Sequence, residues 1–379
     1  MKLIHRHIFA NVAVTCGWGV GLFTFVLMLG NFIQDLLSRL VTGQIGADTC
    51  LHLVGLSIPV SVSYALPMGM LTGILLVLGR MSSDREITAL RACGLSVAGL
   101  SAPILFGALL GVGFTLVVNF EFMPRAKVAY EQDLAAALRQ NPLNFIVPKT
   151  FIRDFPGKVI YVGEKRGQQL KDFWLWELDD QKRVRRAARA DSGRLDYDEK
   201  ENKLVLTLDH AQAEARDEKD PENFSQMRAA AAWEHATFDL PLDKLSGGHS
   251  VNRKMKWMTL GQLLAEWRRL GARDPKLTTA EREVKRIKVQ FVMQEKFATA
   301  FSVLSFALIA IPLGIKVSRK ETSANLGIAL ALAMGYYFCT VAVGWLDGHP
   351  AWRPDLLMWV PNLGFQALGV WMLVRVDRQ

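Results

Sequence analysis

The carboxylates Asp84 and Glu86 sit in a charged island between two long apolar runs, Arg80-Met81-Ser82-Ser83-Asp84-Arg85-Glu86-Ile87-Thr88-Ala89-Leu90-Arg91-Ala92-Cys93-Gly94-Leu95-Ser96. Two kinds of chemistry fit this pattern. In one, Ser83 caps a helix while Glu86, three residues on, reaches back to the free amides, the spacing of a capping box. The island is then a solvated linker. In the other, the same carboxylate is held out for a soluble partner to grip. Ile87, Leu90 and Cys93 recur on one helical stripe, Asp84, Arg85, Thr88 and Arg91 lie mostly off it, and Gly94 suits the stop. A helix of about ten residues is marginal alone. Its stripe must rest on lipid headgroups or on protein, so both readings place a short helix at a membrane surface.

Other chemistry is sparse. No G-x-x-x-x-G-K-[ST] loop occurs, so the chain is not expected to hydrolyse nucleotide by one. H-E-x-x-H and G-x-S-x-G are also missing, and Gly94-Leu95-Ser96-Val97-Ala98-Gly99 is one residue too long for a nucleophile elbow. His5 and His7 read as interfacial rather than as metal ligands. Cys16, Cys50, Cys93 and Cys339 form no C-x-x-C pair, which argues against a disulfide framework or a zinc site. The expectation is a chain that is not an enzyme and holds no metal or cofactor.

The elements that position the island are apolar. Half of the 379 residues are hydrophobic and the mean hydropathy is +0.16, yet 21% are charged and unevenly placed. Membrane spans plus a soluble part account for both. Apolar runs cover 8–33, 51–78 and 97–120, and again 297–317, 324–346 and 356–374. The first is longer than a signal-peptide core and ends in no clean cleavage site, so it reads as an uncleaved span. Pro59 and Pro67 are expected kinks in the second. Gly17, Gly19 and Gly21, Gly69-x-x-x-Gly73 and Gly107-x-x-x-Gly111 would allow close helix contact.

Between the triplets, 121–296 is dense in charge and punctuated by Pro142, Pro148, Pro156, Pro221, Pro241 and Pro275. Alternating segments predict strands at 144–153, 158–164, 172–178, 203–208 and 236–240, with Asp198-Glu199-Lys200-Glu201-Asn202 as a turn. Helices are predicted at 260–270 and 279–296, the second running straight into the membrane. The expected fold is a membrane protein: an α-helical bundle of six transmembrane helices, three plus three, with an inserted β-sandwich or jelly-roll domain containing little helix.

Short loops set the orientation. Lys2 and Arg6, Arg80, Arg85 and Arg91, Lys316, Arg319 and Lys320, and Arg375 and Arg378 fall on one side; the other side's short loops contribute Arg39 and Arg353. The positive-inside rule places both termini and the charged island in the cytoplasm, and the inserted domain outside. The net charge of +9 then belongs to loops that orient spans and meet anionic lipid, and no nucleic acid partner is expected. The central parts of all six runs lack Asp, Glu, Lys, Arg and His. A polar solute would find almost nothing to bind, whereas an apolar lumen suits acyl chains. The plainer alternative is a bundle that only anchors the external domain.

The stretch Ser83–Ser96 resembles the signature loop of the lipopolysaccharide-export permeases, the paired F and G membrane subunits of an ABC transporter. The Lys2–Arg6 leader, Leu66-Pro67-Met68 in the second run, Ile311-Pro312-Leu313-Gly314 at the end of the fourth and the three-plus-three layout agree with it. Glu86-Ile87-Thr88, Ala92-Cys93-Gly94-Leu95-Ser96 and Asn141-Pro142 look closer to the F member.

The resemblance implies a division into 1–120, with spans one to three and a coupling helix over 83–94; 121–296, a periplasmic jelly-roll-like domain with a helical return; and 297–379, with spans four to six. It implies a multi-pass protein of the bacterial inner membrane. Its partners would be a paralogous permease subunit, a cytoplasmic ATPase dimer that binds the ATP and Mg, and a periplasmic jelly-roll bridge protein leading to the outer membrane, amid membrane lipids. Lipopolysaccharide would enter sideways between the first span of one subunit and the fifth of the other. The family's coupling carboxylate maps onto Glu86, with Asp84, Ile87, Leu90 and Arg91 around it. Cavity-facing candidates are Phe25, Leu29, Phe32 and Arg39 on the first span, and Tyr336, Tyr337 and Val341 on the fifth. Where the family often has several basic residues near the outer end of the first span, this sequence has Asp35 and Arg39. Lipid-phosphate candidates are thus Arg39 with Lys285, Arg286 and Lys288, or the partner subunit. A permease for lipoprotein export or mechanotransmission, expected to have four spans per chain, and a membrane-anchored periplasmic binding module are the alternatives.

Overall fold

The computed structural model describes residues 2–140, 146–153, 157–179, 183–198, 203–215, 230–241, 255–271, 279–316, 322–348 and 352–378. Asn141-Pro142, the start of the expected 144–153 strand, residues 199–202 of the expected turn, and Arg319 and Lys320 lie outside them. The helices in chain order are α1 (Lys2–Met28), α2 (Gln34–Val41), α3 (Ala47–Ser83), α4 (Glu86–Ala92), α5 (Val97–Val117), α6 (Met123–Gln140), α7 (Leu260–Gly271), α8 (Thr279–Lys316), α9 (Thr322–Gly344), α10 (Pro354–Leu357) and α11 (Val360–Asp377). Strands β1 (Phe151–Ile152), β2 (Lys158–Arg166), β3 (Gln169–Leu178), β4 (Val184–Asp198), β5 (Lys203–Ala215) and β6 (Ala230–Pro241) fall between α6 and α7. The chain divides into one unit of Met1–Ile33, Gly55–Lys127 and Arg253–Gln379, and another of Gln34–Val54 and Val128–Asn252.

Among the described residues, five helical stretches are long and apolar enough to cross a membrane: Leu3–Val41, Ala47–Ser83, Val97–Ala137, Glu281–Lys316 and Pro354–Asp377. The run expected at 324–346 forms α9, whose described apolar part is Leu330–Gly344. Several helices outrun the apolar segments that announced them. Helix α6 follows α5 through a π turn at Val118–Phe122, so the expectation of little helix after residue 120 is corrected. Hydropathy falls at Phe120, but a stripe of Ala126, Tyr130 and Ala137 stays buried and keeps the helical period.

The first unit's core joins α1, α3, α5, α8 and α9 through Val12, Leu71, Ile74, Ile104, Val303, Phe306 and Tyr336. Glycine lets α1 and α3 meet backbone to backbone. A Cβ on Gly73 would stand 2.5 Å from Cys16 Sγ, and one on Gly69 would stand 2.6 Å from the Val20 nitrogen. In lipid there is no hydrophobic gain from association, so such close van der Waals contact carries the packing. Polar side chains add directional ties. Asn362, fully buried, donates to the Ala298 carbonyl at 2.8 Å and accepts from Ser305 Oγ at 2.8 Å and Tyr336 OH at 3.2 Å, joining α11, α8 and α9.

The second unit holds one six-stranded antiparallel sheet whose spatial order is the chain order, β1 to β6. These described strands form a meander. Strand β4 was not expected: its inward positions are Ala188, Ala190, Gly193 and Leu195, too small to mark an apolar face, and arginines and aspartates fill the rest. Pairing lapses along one line across the sheet, at Gly163, Asp172, Asp191, His210 and Glu234. Asp172 and His210 both adopt φ of 53°, a left-handed conformation that Asp and His tolerate better than most residues. Inward parity changes at that line. Phe173 and Leu175 point inward on one side and Leu170 on the other; Ala211 gives way likewise to Leu206 and Leu208. The line is a crease, and residues from both sides of it share a single buried cluster built from the strands and Ile146.

The glycine contact yields a test. Gly73→Val should destabilise the detergent-solubilised protein by roughly 1–3 kcal/mol through overpacking against Cys16. Gly17→Val, where a Cβ meets nothing within 4 Å, should leave the unfolding transition in place.

Candidate functional site

The charged island folds as a tight excursion between α3 and α5. Helix α3 continues through Ser83, and Asp84 N and Arg85 N close it by bonding to the carbonyls of Arg80 (2.9 Å) and Ser82 (3.1 Å). The expected capping box is therefore corrected. Ser83 is still helical and cannot take the extended backbone that an N-cap needs. Arg85, at φ 60°, takes the cap position instead, with no side-chain bond to the helix. Glu86 becomes the first residue of α4, where a carboxylate suits the positive end of the helix dipole. Gly94 does stop the helix. At φ 86° it completes a Schellman closure in which Gly94 N bonds to Arg91 O (2.9 Å) and Leu95 N to Leu90 O (3.2 Å).

Helix α4 faces two ways. Ile87 is buried and seats among Ile8 of α1, Leu78 and Met81 of α3, Leu100 and Ile104 of α5, and Ile311 and Ile315 of α8. The void left around it is about 10 Å³, too small to need water. Leu90 packs half-buried against the same cluster and Arg91 is half-buried. Asp84 and Glu86 are exposed, and among the described residues no hydrogen bond or ion pair engages either side chain. Ile87 turned inward and Asp84, Arg85 and Glu86 turned outward make the helix and the turn before it a knob with a charged tip.

At another part of the same unit, a cavity of about 380 Å³ lies between α3, α8 and α9. Tyr336, Tyr337 and Val341, singled out above, line it together with Tyr64, Phe291 and Met358. Tyr337 OH donates to the Tyr64 carbonyl at 3.1 Å, while the Tyr336 ring is almost wholly turned into the core, edge-on to Phe306. The lining is mixed, with Thr299, Thr340 and an ion pair in which Lys256 Nζ bonds to Glu295 Oε1 at 3.0 Å. The sequence reading missed this pair because it assigned both residues to the soluble insertion. A second cavity, about 330 Å³, lies between α1, α3 and α9, lined by Phe23, Met68, Leu71, Leu330 and Ala333. Both volumes are of the size that takes part of an amphiphile.

The remaining candidates scatter. Phe25 lies on an exposed α1 stripe with Val14, Trp18 and Leu22, Leu29 continues it in the π turn at Leu29–Ile33, and neither lines either cavity. Phe32 is half-buried with Lys127 Nζ 5.5 Å from its ring centroid. Arg39 belongs to the second unit and bonds to Asp35 at 3.1 Å and Gln44 at 3.4 Å, so its charge is already met. On α8, Lys285 is exposed, Lys288 is half-buried, and the Arg286 guanidinium lies 4.5 Å over the Trp267 ring. Among the described residues, no group of His, Cys, Asp or Glu is placed to hold a metal ion.

Comparison with known proteins bears on this arrangement. A family model described as "Lipopolysaccharide export system permease LptF/LptG" matches residues 6–375. The chain is 24% identical over 369 residues to the lipopolysaccharide export system permease protein LptF of Escherichia coli (strain K12), covering 93% of this chain and 92% of that protein. The LptF protein of Shigella flexneri matches to the same extent.

The seat of Ile87 is directly testable. Ile87→Ala should weaken docking of α4 by roughly 2–5 kcal/mol, read as loss of amide hydrogen-exchange protection over Glu86–Ala92. Glu86→Ala removes no side-chain bond among the described residues and should leave that protection nearly unchanged.

Proposed function

The chain belongs to the LptF/LptG family of lipopolysaccharide export system permeases and is a permease subunit for lipopolysaccharide export; from that premise we propose how its parts work. The observation that carries the proposal is α4, an outward Glu86 above an inward Ile87. Helix α4 acts as the coupling helix, seated in a groove of a separate cytoplasmic ATPase that binds ATP and Mg. Asp84, Glu86 and Arg91 meet that partner, while Ile87 and Leu90 pass its displacement to α1, α3, α5 and α8.

In this proposal α9 counts as a sixth span, both termini lie in the cytoplasm, and the creased sheet is the periplasmic domain, part of a jelly roll. The exposed stripes along α1 (Val14, Trp18, Leu22, Phe25, then Leu29 just past its end) and α9 (Met334, Phe338, Val341, then Trp345 just past its end) are apolar faces that support pairing with a paralogous permease around the lipid. Lipopolysaccharide enters sideways, its acyl chains against Tyr337 and Val341, and closure of the ATPase squeezes it outward. The periplasmic sheet then hands it to a jelly-roll bridge through an open strand edge. Lipid phosphates meet Lys285, Arg286 and Lys288 rather than Arg39, which Asp35 already neutralises. Five apolar helices exceed the four spans expected of a lipoprotein-type permease, which favours this reading over that alternative.

The test is substitution of Glu86. Glu86→Ala should abolish lipopolysaccharide extraction by the reconstituted complex while the protein remains inserted. Glu86→Gln should also fail, because no capping role exists for the amide to rescue. Normal export by Glu86→Ala would sink the coupling assignment.

A further inference from the structure

Helix α4 is carried on a loop whose two ends are fastened to the C-terminal half of the bundle. At the entry, Ser82 Oγ donates to the Ile315 carbonyl at 2.8 Å. That carbonyl lies in the last described turn of α8. At the exit, the first amide of α5, Val97 N, donates to Asp377 Oδ1 at 2.9 Å. Val97 is fully buried, so water does not replace this acceptor. Ser96 takes a different amide of the same turn, that of Gly99 at 3.1 Å, so the two side chains divide the unpaired donors between them. Asp377 is the final residue of α11 and also places a negative charge at the positive end of a 21-residue helix.

We propose that Asp377 and Ser82 are positioning residues that clasp the α4 loop to α11 and α8, so that displacement of α4 moves the C-terminal helices together with α3 and α5. The proposal rests on the coupling role of α4 and adds the parts that make the push reach the second half of the chain. Ile87 and Leu90 hold α4 by shape, which leaves it free to rock in its seat. Two hydrogen bonds at opposite ends of the loop fix its angle as well. The clasp joins residues 233 and 280 positions apart, which explains why a terminal aspartate acts on a loop near residue 90.

The experiment uses the full permease complex with its ATPase in lipid nanodiscs, spin-labelled at Cys93, the exposed residue that ends α4. Cys339, the other exposed thiol, is replaced by serine. In Asp377→Ala the label should become more mobile, and lipopolysaccharide released per ATP hydrolysed should fall about fivefold, the effect of losing one capping acceptor. Ser82→Ala should shift both readouts in the same direction. Asp377→Asn keeps an acceptor oxygen and should restore both. A label as restrained in Asp377→Ala as in the wild type overturns the clasp. So does a fall in release matched by an equal fall in hydrolysis, which marks general damage. If the wild-type complex releases no lipopolysaccharide, the permease reading fails, and label mobility alone still decides the clasp.

Discussion

A buried ammonium governs the end of the bundle where α5 passes into α6. Lys296 is 7% exposed, and its Nζ donates to the carbonyls of Asn119 and Met258, both at 3.0 Å. Asn119 returns the contact by donating from Nδ2 to the Lys296 carbonyl at 3.1 Å, and the Ser63 hydroxyl bonds to its Oδ1. The face of Phe120 lies 5.5 Å from the charge. An ammonium in apolar surroundings is tolerable only when polar partners replace its water. The π turn at Val118–Phe122 supplies one of its two carbonyl acceptors, because widening a helix frees backbone carbonyls that a regular one would use, and Met258 before α7 supplies the other. Residues from α3, α5–α6, α8 and the segment before α7 are thereby locked to one point.

That constraint was only half visible in the sequence. Apolar runs revealed the spans, since a bilayer demands uninterrupted hydropathy. They did not reveal that the helix of the third run goes on past residue 120, because a helix needs only its own backbone bonds and continues through charged residues such as Glu121 and Arg125. Lys296 was counted as the last residue of a soluble insertion. Its burial depends on Asn119, 177 positions earlier, which no local pattern discloses.

The sheet teaches the same lesson. Four of the five strands predicted by alternation stop near the crease: 158–164 at Gly163, 172–178 at Asp172, 203–208 just before His210 and 236–240 just after Glu234. A period-two reading follows one side of a crease and loses phase on crossing it, because one residue there changes which side chains point inward. Strand β4 crosses the line with Ala188, Ala190 and Gly193 inward and a single large residue, Leu195, so its alternation carries little phase. Alternation was a sound guide within each flap of the sheet and blind to the fold between them.

The α4 loop combines both cases and shows what a local motif can and cannot specify. Gly94 predicted the helix stop because a left-handed residue there is a backbone requirement, satisfied within five residues. Ser83 and Glu86 had the right spacing for a cap, yet spacing cannot tell whether Ser83 still belongs to the preceding helix. Tertiary contact decided that. With α3 carried through to Ser83 and held by Ser82 on Ile315, the chain must reverse in two residues, and Arg85 takes the positive φ that the reversal needs. Among the described residues, the same geometry leaves Glu86 without an internal partner. A carboxylate released from capping while the residue beside it is locked into the core faces out of the bundle, which is what the proposed coupling role asks of it.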